Sequence, residues 1–218
     1  MLKIKNLFFV SVFTAIILPG CNLQHKLLNP DNAIFKEQSP PAYKVVLETT
    51  KGKIIIAVNR DWSPNGADRF YNLVRYGYYD NTAFFRVRDK TWAQFGIAGD
   101  AKIAQTWRNK TFADDPRKAS NIRGRVAFAF KEQNGRTTQV FINLRDNSPT
   151  LDKEPFVPFG EIISGMDAVD VLYSGYGENS GGGIRAGKQG SLFKGGNNFI
   201  KQHYPELDYI IKARIMKN

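Results

Sequence analysis

The sequence predicts a mainly β protein, a closed barrel of strands capped at its ends by two helices. Three observations carry that prediction. The first is a hairpin pattern: Val45, Leu47 and Thr49 alternate with Val46, Glu48 and Thr50, then Lys51-Gly52-Lys53 turns the chain into Ile54-Ile55-Ile56-Ala57-Val58. The second is a series of short apolar stretches of strand length: Phe84-Phe85-Arg86-Val87, Val126-Ala127-Phe128, Val140-Phe141-Ile142 and Asp208-Tyr209-Ile210-Ile211-Lys212-Ala213. The third is that two stretches carry a helical period. Many strands with two helices suggest closure into a barrel, which removes exposed sheet edges.

The first helix is expected where Ser63-Pro64 offers an N-cap and a first helical position; Phe70, Leu73 and Val74 make its apolar stripe and Gly77 stops it. A second is expected over 164–173, with Met166, Val169, Leu172 and Tyr173 on one face. Upstream, residues 22–42 have no sustained period and contain Pro30, Pro40 and Pro41, so they read as a tether. Leu27, Leu28, Ile34 and Phe35 leave open whether that tether hangs free or docks. The glycines of 180–183 and 187–196 resemble a phosphate loop in composition only, lacking the Lys-Ser/Thr ending and a preceding strand; the stretch reads as a long flexible loop before the closing strand.

At 218 residues, with 42% hydrophobic and 23% charged residues, the chain can bury one substantial core and is neither disordered nor multispanning in composition. The formal charge of +11 attracts anionic surfaces at long range, but the basic residues are scattered and no nucleic-acid motif accompanies them, so no nucleic-acid partner is expected. His25 and His203 stand far apart and no metal-ligand cluster is visible, so no metal is expected.

The N-terminus reads as an address. Lys3 and Lys5 precede an apolar run over 7–18, long enough for a signal peptide and short for a membrane span. The run closes on Leu18-Pro19-Gly20-Cys21, which resembles the lipobox of bacterial lipoproteins, with Pro19 a mild departure; Cys21 is the sole cysteine. The expected organisation is a lipoprotein signal peptide over 1–20, a lipidated Cys21 and tether over 21–42, and one folded domain over 43–218. Two acyl chains on Cys21 would anchor the protein to a membrane of the bacterial cell envelope. Asn22 is not the aspartate that retains lipoproteins at the inner membrane, which favours the outer membrane, facing the periplasm.

Within 43–215, the ordered segments Thr49-Thr50-Lys51-Gly52, Arg69-Phe70-Tyr71-Asn72-Leu73-Val74, Gly77-Tyr78-Tyr79-Asp80, Phe84-Phe85-Arg86-Val87, Gln94-Phe95-Gly96, Thr138-Gln139-Val140-Phe141-Ile142-Asn143 and Phe159-Gly160-Glu161-Ile162 resemble the cyclophilins, in particular the bacterial subgroup with FFRV and QFG. The resemblance implies an eight-stranded antiparallel barrel capped by two helices. It also implies a monomeric peptidyl-prolyl cis/trans isomerase without cofactor, acting on proline-containing peptides and unfolded exported proteins.

Twisting an Xaa-Pro bond breaks amide resonance at a cost near 20 kcal/mol and turns the prolyl nitrogen into a hydrogen-bond acceptor. Such a reaction needs a grip on the proline ring and a cationic donor, not a nucleophile. By resemblance, Arg86 is that donor, Gln94 orients it and Phe141 forms the ring pocket. Phe85, Thr91, Trp92, Ala129, Phe130, Gln139, Leu151 and Phe156 are the expected substrate-binding residues. Thr91, Trp92 and Phe156 stand where the family usually has phenylalanine, methionine and histidine, and Val140 and Thr150 replace two framing aromatics, which argues against tight cyclosporin binding. Thr91, Phe130 and Lys131 in the site, together with the basic surface, motivate an alternative: a non-catalytic, proline-peptide-binding or adhesive surface module on the same scaffold.

Overall fold

The computed structural model describes residues 25–177 and 189–217. The expected leader and Cys21 therefore lie outside the described residues, as do residues 180–183. Nine strands form one curled antiparallel sheet: β1 (Ala42–Thr49), β2 (Gly52–Asn59), β3 (Thr82–Ala83), β4 (Arg86–Arg88), β5 (Trp92–Phe95), β6 (Arg125–Phe128), β7 (Val140–Asn143), β8 (Pro158–Ser164) and β9 (Tyr209–Ile215). Their order is β3-β9-β1-β2-β8-β6-β7-β5-β4. The two outermost strands are successive pieces of one extended segment, parted by Phe84 and Phe85, so the two ends of the ladder meet in sequence. That break accounts for nine strands where eight were expected.

The hairpin forms as its pattern dictates. In β1, Tyr43, Val45, Leu47 and Thr49 are buried while alternate residues face outward, and Val45 sits opposite Ile56 in β2. The interior is largely aromatic. Phe70 meets Phe159 at 4.9 Å between ring centroids, Phe159 meets Phe128 at 5.2 Å, and Phe84 meets Phe95 at 5.3 Å, tilted or edge-on as ring quadrupoles favour.

Helix α1 (Pro64–Arg75) starts and stops as expected, with Gly77 at φ 75° beyond its end. Ser63 makes no cap bond, however; its hydroxyl donates to Asp115 at 2.6 Å. The remaining helices correct the count of two: α2 (Ala101–Trp107), α3 (Ser148–Leu151), α4 (Met166–Asp170) and α5 (Gly190–His203). The helix expected over 164–173 shrinks to α4. Ser164 belongs to β8, and Gly165 turns the chain at φ 85°, where an added Cβ would meet the Lys53 carbonyl at 2.0 Å.

Part of the expected loop is instead α5, kinked at Gly196 (φ 54°). Three buried apolar residues, Leu192, Phe193 and Ile200, hold it down, and the Asn197 amide donates to the Gly99 carbonyl at 2.8 Å. The described part of the expected tether is docked. Leu27 and Phe35 are buried, Phe35 packs edge-on against Tyr76 and Trp107, and Asn72 donates to the Glu37 carbonyl at 2.7 Å. No described helix is long and apolar enough to cross a membrane.

Candidate active site

Strand register builds the site. Arg86 on β4 lies directly opposite Gln94 on β5, and Gln94 directly opposite Phe141 on β7. Directly opposed residues share a face of the sheet, so these three form one cross-strand row. Their neighbours Val87, Ala93, Phe95, Val140 and Ile142 are buried in the core. The turn after β5 is fixed by Gly96 at φ 105°, where a Cβ would meet the Thr138 carbonyl at 2.3 Å. This close approach sets Gln139 beside Gln94.

The row floors a cleft of about 870 Å³. One wall is apolar: Leu151 from α3, with Phe156 edge-on to Phe141 at 5.4 Å and tilted against Phe130 at 4.6 Å. Arg136 holds that wall. It is buried, ion-paired with Asp114, donates to the Pro155 carbonyl, and lays its guanidinium 4.8 Å from the Phe130 ring. Burial lowers its pKa.

Arg86 donates through Nη1 to Gln94 Oε1 at 2.8 Å, and Gln94 Nε2 donates to Gln139 Oε1 at 2.8 Å. The Arg86 guanidinium stands 5.1 Å from the Trp92 ring, which Arg88 also approaches, at 5.2 Å. Desolvation, and after it the charge of Arg88, push Arg86 down to about 10, still charged at neutral pH. The arrangement presents a cation with donors beside an apolar recess. The lining contains no cysteine or histidine, and among the described residues no group of three or more His, Cys, Asp or Glu could hold a metal.

Of the expected substrate-binding residues, Trp92, Ala129, Phe130, Gln139, Leu151 and Phe156 line the cleft, as do Arg86, Gln94 and Phe141. Phe85 and Thr91 do not. Phe85 is buried in the core, and Thr91 closes a turn, accepting at its carbonyl from Asn147 Nδ2 at 2.9 Å and the Leu144 amide at 2.9 Å. Phe85 precedes Arg86 in an extended segment, where side chains alternate between faces, and Thr91 is held in the turn between β4 and β5. Sequence reasoning missed the wall supplied by Arg108, Asn109, Gln189 and Phe193.

Residues 44–183 match the family model for cyclophilin type peptidyl-prolyl cis-trans isomerases. The chain belongs to the cyclophilin family. Peptidyl-prolyl cis-trans isomerase cyp18 of Streptomyces antibioticus is 31% identical over 139 residues, spanning 59% of this chain and 81% of that protein. Peptidyl-prolyl cis-trans isomerase B of Escherichia coli is 26% identical over 176 residues, spanning 78% and 96%. A cyclophilin-type isomerase of Cryptosporidium parvum shares the fold, with a TM-score of 0.59 at 18% identity, over 81% of this chain and 99% of that one. This cyclophilin is accordingly a peptidyl-prolyl cis-trans isomerase.

Proposed function

We propose that this cyclophilin isomerises Xaa-Pro bonds in exported proteins, with Arg86 donating to the prolyl nitrogen of the twisted amide. The observation that carries the reading is the Arg86 to Gln94 hydrogen bond of 2.8 Å beside the recess of Phe141, Leu151 and Phe156. A proline ring seated against Phe141 would bring its nitrogen toward the guanidinium. Because planar amide nitrogen is a poor acceptor, the donated bond strengthens only as the amide twists, which is the condition for lowering a barrier. Partial desolvation of Arg86 favours this, since a guanidinium stripped of some water gives more to the acceptor that replaces it.

The leader and Cys21 support a location at the bacterial cell envelope, lipid-anchored to the outer membrane and facing the periplasm, where slow proline steps limit the folding of exported chains. Refolding of a secreted protein with a proline-limited slow phase tests the reading. The full chain should shorten that phase and Arg86→Ala should not; equal acceleration by both would refute the role of Arg86.

A further inference from the structure

Gln189 immediately precedes α5 and lies 50 residues from Gln139, yet its Oε1 accepts from Gln139 Nε2 at 3.1 Å. Three hydrogen bonds thus run in one direction: Arg86 to Gln94, Gln94 to Gln139, and Gln139 to Gln189. The direction follows from chemistry. A guanidinium has donors only, so Gln94 must turn its carbonyl oxygen toward Arg86 and its amide group away. Gln139 then has to present its carbonyl to Gln94, which sends its own amide group onward. Such a chain needs an acceptor at its far end, and Gln189 supplies it.

That acceptor stands on a pinned element. The Gln189 carbonyl accepts from the Phe193 amide at 3.0 Å, and Phe193 is buried beneath the Arg108 guanidinium, 4.8 Å from its ring. The Arg108 guanidinium is ion-paired with no carboxylate among the described residues, and it stacks on Phe193 instead. The first turn of α5 therefore serves both as a wall of the cleft and as the end of the hydrogen-bond chain.

We propose that Gln189 is a positioning residue for isomerisation, holding Gln139 and Gln94 in the orientation that aims Arg86. The proposal rests on the role given to Arg86 above. Gln189 acts through two other side chains and does not touch Arg86.

The test measures kcat, KM and Tm for the full chain on one Xaa-Pro peptide, as wild type, Gln189→Leu, Gln189→Glu, Arg86→Ala and the Arg86→Ala/Gln189→Leu double variant. Gln189→Leu removes the acceptor at similar volume and should lower kcat about 3- to 10-fold, in keeping with one half-buried hydrogen bond, with KM and Tm little changed. Gln189→Glu keeps an acceptor and should recover most of that loss. In the Arg86→Ala background, assayed at raised enzyme concentration, Gln189→Leu should have no further effect, because the group it helps to aim is gone. A wild-type kcat in Gln189→Leu, a loss carried by KM, or an equal loss with and without Arg86 would each overturn the proposal. Normal turnover by Arg86→Ala would instead overturn the arginine reading itself.

Discussion

The indole N–H of Trp107 donates to the Leu27 carbonyl at 2.8 Å, joining positions 80 residues apart. Leu27 is 2% exposed. The stretch read from the sequence as a tether is therefore part of the folded unit from Leu27 onward, and an anchor at Cys21, as proposed, would hold the domain close to its surface. Leu27→Ala should cost about 2–5 kcal/mol, the range for a buried leucine truncation, and lower Tm while leaving kcat/KM unchanged. An unchanged Tm in thermal unfolding would show that the docked segment contributes nothing to the fold.

Phe141 serves two ends, as it is buried beside Phe156 and also floors the cleft. Phe141→Ala should raise KM and destabilise the domain by about 3–5 kcal/mol. Phe141→Leu, which keeps most of the volume, should lose far less stability than affinity. Peptide titration and calorimetry on both variants separate the two effects; unchanged binding in both would remove Phe141 from the proline recess.

The titration of Arg86 fixes a pH profile. Its folded pKa of about 10 lies below the ordinary arginine value, so the fold carries a cost for the charged form that is fully present below about 10 and eases as pH rises above it. Activity runs the other way, because the donor is the charged form. kcat/KM should be flat from about pH 6 to about pH 9 and fall as pH approaches and passes about 10. A limb near pH 6.5 would mean that a group outside this account, such as a histidine, takes part in the reaction.

Cys21→Ser should leave an unprocessed precursor without lipid, since the thiol is the acyl acceptor in the lipoprotein reading. Processed protein that still pellets with membranes after this change would contradict the anchor.

Much of the barrel is legible from residue pattern, whereas the row of Arg86, Gln94 and Phe141 is named through resemblance to the cyclophilins. The period-2 pattern of β1 and β2 names their buried faces, and the eight-residue step from Arg86 to Gln94 is what a short hairpin needs to set them opposite each other. The same alternation, applied strictly, would have moved Phe85 off the cleft face, and the turn between Arg86 and Gln94 would have claimed Thr91. Helix α5 was hidden by Gly190, Gly195 and Gly196, which lower helix propensity, although Leu192, Phe193, Asn197 and Ile200 keep a helical spacing that could have revealed it. The docking of Leu27 and Phe35, and the contact of Gln189 with Gln139, depend on partners 41 to 80 residues distant. No local pattern encodes those.

The central claim is that Arg86 lowers the barrier without strengthening ground-state binding. The most direct measurement is the isomerisation rate on one Xaa-Pro peptide for wild type, Arg86→Ala and Arg86→Lys, paired with peptide affinity by titration. Arg86→Ala should lose roughly a hundred- to thousand-fold in kcat/KM, as for removal of one preorganised transition-state donor, with affinity and Tm little changed. Arg86→Lys should recover only part, because a point charge on a flexible stem lacks the planar fork that Gln94 holds. An alanine variant that turns over normally, or loses rate only in proportion to lost affinity, would contradict the account.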